Sequence, residues 1–213
     1  MAKRLEKKTL LLPKKTELRI NTTCKYTDKL ISMKEIIDAV NWFFSEFGKM
    51  PIVSDTGDCL FVTTRIETPM VMATAYYASM GFGAPASIGY AIVTGTRPLV
   101  FLGDGSFQMT GQEICHCIRF KINPIFIVFN NRRWGMQQLF YPTAGFNELV
   151  NWPYSKIAEL WGGKGYFCDT CESFYRALEE VKDNRQFSLI EVMMEKEEIS
   201  EELRAWLKEF RIT

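Results

Sequence analysis

An open, doubly wound α/β fold, with a mostly parallel sheet and helices on both faces, is what this 213-residue sequence predicts. Three observations predict it. Short apolar segments alternate with segments of helical period from residue 51 onward, the pattern of strands joined by helical crossovers. The stretch 125–129 is wholly apolar, as a strand covered on both faces should be. Two of the strands run out into residues that turn a chain sharply, Gly103-Asp104-Gly105 and Asn130-Asn131.

The elements follow in order. Ser32 opens a capping box with Glu35. Ile36, Ile37, Val40, Phe43, Phe44 and Phe47 recur at helical spacing until Gly48 closes the helix. Residues 51–55 read as a buried strand. Pro85 starts a helix running through Ile92, because proline suits the first turn, where an N–H has no partner to lose. Then come a strand at 99–102, a helix at 111–120 and the covered strand at 125–129. A helix at 154–161, a strand at 166–168 and a helix at 172–182 capped by Asp169 succeed them. A strand at 187–194 and an amphipathic helix at 199–210 complete a single domain, 31–213. Residues 1–30 lack sustained periodicity and read as an extension.

The composition is that of a globular domain, 47% apolar and 24% charged. The net charge of +1 joins two unlike parts. Residues 1–30 carry nine Lys/Arg against three Asp/Glu, and the remainder is mildly acidic. A basic leader can meet an acidic surface or RNA, but it reads here as a solvated tail, and nucleic-acid binding is not expected. No apolar run approaches the roughly 18 residues of a membrane span. Residues 10–12 are too short for a signal-peptide core, and Pro13 and Lys14 follow at once. A cytoplasmic location is expected, and with it six cysteine thiols, at 24, 59, 115, 117, 168 and 171. Cys168 and Cys171 are half of a possible zinc site. Cys115 and Cys117, two apart on a helix, point in different directions and cannot complete it. The helix beginning beside Cys171 would lower its thiol pKa, but the residue reads as a plain buried cysteine. The only histidine, His116, lies mid-helix and reads as structural or exposed.

The chemistry is expected at the carboxyl ends of the strands, where ligands bind in such folds. A lone GDG is a strand-end turn, and an Asn pair alone means less. Together, one crossover apart, they place a carboxylate and a carboxamide on neighbouring strand ends. Mg²⁺ suits that pair, because it takes oxygen ligands, few of them from protein, and fills its octahedron with phosphate and water oxygens. Glycines let backbone approach a phosphate, and the helix after Gly105 turns its amino end to the negative charge.

GDG, about two dozen residues, then NN resembles the signature of thiamine diphosphate (ThDP) enzymes. The likeness extends through GDCLF (57–61), YYASMGFGAPASIG (76–89), GDGSFQMTGQE (103–113) and NNRRWGMQQLF (130–140). The run most resembles the C-terminal, cofactor-binding domain of the phenylpyruvate and indolepyruvate decarboxylases. It covers about 31–207, nearly the whole chain but only the last third of such an enzyme. The resemblance implies a ThDP-binding fold, with Asp104, the Asn131 side chain and the Arg133 carbonyl as metal ligands. Gly105 and Ser106 resemble the diphosphate cradle, and the backbone of Ala78 and Met80 falls where the family holds the aminopyrimidine edge. Met136 matches the bulky residue wedged between the cofactor rings. Without the motif it would read as core filler. Asp58 and Cys59 align with a turn at the diphosphate and substrate end. Gln137 stands where pyruvate decarboxylases carry a catalytic glutamate. It cannot shuttle protons as a carboxyl does, which disfavours pyruvate and leaves aromatic 2-oxo acids open. Arg132 and Arg133, unusual beside an anionic cofactor, would meet a substrate carboxylate or solvent. The family's activating glutamate sits on a separate pyrimidine-binding domain, so the resemblance implies a partner domain or subunit and an oligomer.

Three rivals compete. Gly81-Phe82-Gly83-Ala84-Pro85-Ala86 fits a dinucleotide fingerprint, with Asp104 near the place of its ribose-binding acid. However, 76–80 makes a poor buried strand before it. An acetolactate synthase-like carboligase shares a G-M after the Asn pair. A non-catalytic binding or assembly module would keep the fold alone.

Overall fold

The computed structural model describes residues 30–74 and 76–209. Nearly all of the basic extension, including Cys24, lies outside them, as does Phe210. The first helix, α1 (Met33–Phe47), starts with the expected box. The Ser32 hydroxyl accepts from the Glu35 N–H, and the Glu35 carboxylate accepts from the Ser32 N–H at 2.8 Å. Gly48, at a φ of 96°, ends it in a conformation that disfavours other residues.

The chain continues through β1 (Ile52–Ser54), α2 (Asp58–Thr63), β2 (Val71–Ala73), α3 (Gly83–Thr94), β3 (Leu99–Gly103) and α4 (Asp104–Thr110). A 3-10 turn, Gly111–Cys115, leads into α5 (His116–Phe120), β4 (Ile125–Asn130) and α6 (Gly135–Phe140). Then come α7 (Tyr154–Leu160), β5 (Lys164–Cys168), α8 (Cys171–Lys182), β6 (Ser188–Met193) and α9 (Glu201–Glu209). The six strands form one sheet in the order β2-β1-β3-β4-β6-β5, and every pair is parallel.

Alternation along the strands sorts the core into two layers. Ile52, Phe101, Ile127 and Ile190 face α1, α2 and α8, while Val53, Val100, Phe126 and Leu189 face α3, α5 and α7. Burying each such side chain contributes roughly 1.5–3 kcal/mol. The fold is therefore the doubly wound sheet expected. The connection after β1 leaves through α2 on one face, and that after β3 leaves through α4 on the other. A crevice opens between their carboxyl ends, where such sheets bind ligands.

Several expectations need correction. The predicted helix at 111–120 is split, because α4 has just ended at Thr110 and Gly111 packs under Phe107, too close for a Cβ. The crossover helix between β5 and β6, α8, begins one residue early. Thr170, not Asp169, is therefore its cap, the Thr170 hydroxyl accepting from the Ser173 N–H at 3.2 Å. Four cysteines (59, 115, 117, 168) are free, but Cys171 is disulfide-bonded. A disulfide needs only two sulfurs brought within bonding reach by the fold, which the inference from compartment did not weigh. Cys115 is exposed and Cys117 buried, so the two diverge as expected. Among the described residues no group of metal-binding side chains of the zinc kind forms. His116 is half-exposed, with its Nε2 3.6 Å from Glu113. No helix among the described residues is long and apolar enough to cross a membrane.

Candidate functional site

Three strand ends build the site. β1 delivers Asp55, β3 delivers Asp104, and β4 delivers Asn130 and Asn131; β3 and β4 are adjacent, with Gly103 opposite Phe129. All ten residues singled out from the sequence, Asp58, Cys59, Ala78, Met80, Asp104, Gly105, Ser106, Asn131, Arg133 and Met136, line one cavity of about 230 Å³. That is room for far more than one water, whose share of liquid volume is roughly 30 Å³.

Asp104 is buried, and backbone N–H groups rather than cationic side chains answer its charge. Oδ1 accepts from Gly105 N–H at 2.8 Å and Oδ2 from Arg132 N–H at 2.6 Å. Arg132 takes a φ of 61°, uncommon outside glycine, in the turn that aims its N–H at this carboxylate. Burial pushes the Asp104 carboxyl up to about 7, against the pull of those N–H groups. A buried acid with no countercharge, beside a carboxamide oxygen, is a donor set that suits a hard cation. The Asn131 Oδ1 accepts from Arg133 N–H at 3.0 Å. The Arg133 carbonyl is left out of the neighbouring backbone bonds, which run from Trp134 N–H to Asn147 and from Leu149 N–H to Arg132. These three oxygens could hold a metal.

Strand alternation separates the two asparagines. Asn131 faces the cavity. Asn130 is fully buried and turns away, donating to Glu191 Oε1 and to Asn151 Oδ1, each at 2.9 Å. Glu191 also accepts from the N–H and hydroxyl of Ser155, both at 3.0 Å, so β4, β6 and α7 are tied behind the site.

At Gly105 a Cβ would lie 2.2 Å from the Trp134 ring, so the indole, lying against the first turn of α4, demands glycine there. The helix begins at Asp104 itself rather than after Gly105. Met136 sits half-buried on α6, its Cγ 3.5 Å from where a Cβ of Gly57 would be. Gln137 is exposed at the cavity wall. Ala78 (φ 52°) and Met80 stand at the exposed rim. Burial, and then the Asp55, Asp58 and Asp104 carboxylates, push the Cys59 thiol well above its ordinary range. It is an inert wall rather than a nucleophile.

Asp58 is committed elsewhere. Its Oδ2 accepts from Ser200 N–H at 2.7 Å and its Oδ1 from the Ser200 hydroxyl, which pins the approach to α9. Burial first, then Glu198 and Glu202, raise this carboxyl from 3.8 to about 6, while the Ser200 bonds oppose. A group whose folded pKa is raised stabilises the fold while protonated; that contribution is complete below 3.8 and lost as pH rises through about 6. The displacement is worth roughly 3 kcal/mol. Asp58→Asn, which mimics the protonated form, should therefore raise the melting temperature at pH 8 and leave it unchanged at pH 4. Equal gains at both pH values would show that the ionised carboxyl carries no such cost.

Sequence reading missed Asp55, Trp134 and Glu198. Glu198 lines the cavity and accepts from Met33 N–H at 2.8 Å. Asp55 is wholly buried and holds the glycine turn of the dinucleotide fingerprint, accepting from Gly81 N–H at 3.1 Å and Gly83 N–H at 2.8 Å. Those N–H groups already have their anion. Residues 76–80 are an exposed turn and not a strand, so the dinucleotide reading fails on both counts.

Comparison with known proteins fits this geometry. Residues 55–192 match the family described as thiamine pyrophosphate enzyme, C-terminal TPP binding domain. An indole-3-pyruvate decarboxylase of Azospirillum brasilense is 41% identical over 159 residues, 74% of this chain and 29% of that protein. A pyruvate decarboxylase of Neurospora crassa is 27% identical over 83% of this chain and 32% of its own length. Pyruvate decarboxylase 3 of Arabidopsis thaliana is 28% identical over 94% of the chain and 33% of that protein. The chain thus spans about a third of the length of the curated relatives it matches. The family match takes in Asp55, GDG and the Asn pair together, and the chain belongs to the thiamine pyrophosphate enzymes through their C-terminal, TPP-binding domain.

Proposed function

We propose that this chain is the cofactor-binding part of a ThDP- and Mg²⁺-dependent 2-oxo acid decarboxylase acting on aromatic substrates such as phenylpyruvate or indolepyruvate. The observation that carries the reading is the gathering of oxygen donors from two adjacent strand ends into one cavity with the residues expected to hold the cofactor. In this reading Asp104, the Asn131 carboxamide and the Arg133 carbonyl hold the metal, and the backbone of Gly105 and Ser106 cradles the diphosphate. Ala78 and Met80 receive the pyrimidine edge, Met136 supports the rings, and Asp58 and Cys59 form the wall beside them. ThDP supplies the electron sink for loss of CO₂, while protein supplies orientation and a dry site. Gln137 can orient a polar group by hydrogen bonding but cannot exchange a proton with it. That departure, with the 41% identity to the Azospirillum enzyme, supports an aromatic substrate over pyruvate.

The chain covers about a third of its relatives, and a partner domain or subunit is expected to complete the site. The half present here can anchor a diphosphate but leaves the reacting ring open to water, without the dry, preorganised surroundings that stabilise developing charge. The test is CO₂ release from phenylpyruvate and indolepyruvate with ThDP and Mg²⁺, by the chain alone and mixed with a pyrimidine-binding partner. Turnover is expected only in the mixture. Robust turnover by the lone chain would overturn the partner requirement, and acetolactate formed from pyruvate would point to a carboligase.

A further inference from the structure

We propose that Asp55 is the positioning residue of the site, locking the loop at the cavity rim to the proposed diphosphate cradle through a single buried carboxylate. This rests on the ThDP reading above and names a residue that reading does not use. Asp55 leaves the carboxyl end of β1 and does not line the cavity. It is 0% exposed, and its two oxygens accept four hydrogen bonds from three separate segments. Oδ1 takes Thr56 N–H at 3.0 Å, Gly81 N–H at 3.1 Å and the Ser106 hydroxyl at 2.9 Å; Oδ2 takes Gly83 N–H at 2.8 Å. A fully buried anion is tolerated only when donors surround it, and here no cationic side chain is among them.

Two consequences follow from donor arithmetic. An ionised carboxylate only accepts, so the single proton of the Ser106 hydroxyl points at Asp55. That hydroxyl then has only lone pairs to offer the cavity, and phosphate oxygens are acceptors too. Ser106 therefore serves a diphosphate through its backbone N–H, and its side chain belongs to the Asp55 anchor. The second consequence concerns the 78–83 segment. Gly81 is held to Asp55 through its N–H and to Thr110 of α4 through its carbonyl, the Thr110 hydroxyl donating at 2.7 Å. The rim carrying Ala78 and Met80 is thereby fixed relative to Gly105 and Ser106, although 26 residues separate Gly81 from Asp55 and 51 separate Ser106. Asp104, by contrast, is held by Gly105 and Arg132 without any contribution from Asp55.

Rim and cradle can therefore be uncoupled by substitution. In Asp55→Asn one oxygen becomes an N–H₂ group, so either Gly83 or the Gly81, Thr56 and Ser106 set faces a donor in place of an acceptor. Ser106→Ala removes one arm only. Calorimetric titration of the full 213-residue chain with Mg²⁺–diphosphate and with Mg²⁺–ThDP gives an affinity ratio for each protein. Asp55→Asn is expected to lower ThDP affinity about tenfold more than diphosphate affinity, the cost of roughly one misplaced hydrogen-bonded contact. Ser106→Ala should move the ratio the same way by about threefold, and it keeps the test decisive should Asp55→Asn fail to fold. Ratios unchanged from wild type in a folded variant would overturn the anchor while leaving the ThDP reading intact. Wild-type protein that binds neither ligand would overturn that reading and the anchor with it.

Discussion

Asp104→Ala should lower Mg²⁺-supported ThDP affinity by more than about a hundredfold, the largest functional loss expected of any single substitution here. Asp104 is 3% exposed and joins the cavity to the carboxyl end of β3. Among the described residues its charge is answered only by N–H groups. Removing the carboxyl takes away the one anionic ligand of the proposed metal site, and the diphosphate then faces the cavity without a bridging cation. Calorimetry with ThDP and Mg²⁺ on the folded variant decides the matter. Wild-type affinity in Asp104→Ala would falsify the metal assignment.

The largest stability loss is expected from Gly165→Ala, far from the cavity. A Cβ there would stand 2.0 Å from the Ser155 carbonyl oxygen and 2.7 Å from its carbon, both backbone atoms of α7. That helix cannot simply retreat, because Glu191 on β6 grips the N–H and hydroxyl of Ser155. Either the Glu191 network breaks or β5 shifts in its pairing with β6, where Gly165 lies opposite Leu189. Overpacking of this kind costs about 3 kcal/mol or more, which lowers the melting temperature of a domain this size by roughly 6–12 °C. Gly89→Ala is the control. Nothing lies within 4 Å of its Cβ position, and alanine there should stabilise α3 by about 0.5–1 kcal/mol. Matching melting curves for Gly165→Ala and wild type would mean that α7 yields freely.

What could be read from the sequence was local or periodic. The box at Ser32 and Glu35 names its own partners three residues apart, and the apolar stretch ending at Phe129 announces a strand buried on both faces. The elements not anticipated were short. β2 has three residues of half-exposed character, and α2 and α6 have six each, which is too little for a period to show. The candidate site divides similarly. The GDG and Asn pair carry their spacing in the chain, and the residues matched by resemblance gather in one cavity. Asp55 carries no such mark: it is one acid after a short strand, and three of its four partners arrive from 26 to 51 residues away. Glu191 is hidden likewise, a carboxylate in a largely apolar strand whose purpose emerges only when α7 and Asn130 close around it.

Among the described residues, three carboxyl groups, on Asp58, Asp104 and Glu198, line a cavity whose sole basic lining residue, Arg133, reaches out to Glu148 at 3.2 Å. Such a wall filters visitors by charge before any contact forms. A bare polyanion meets like charge there once these carboxyls are ionised, and its encounter rate falls; one escorted by a divalent ion meets far less. In the proposed reading a cation arrives ahead of or together with its anion, and loading by a polyanion that comes alone is expected to quicken with ionic strength.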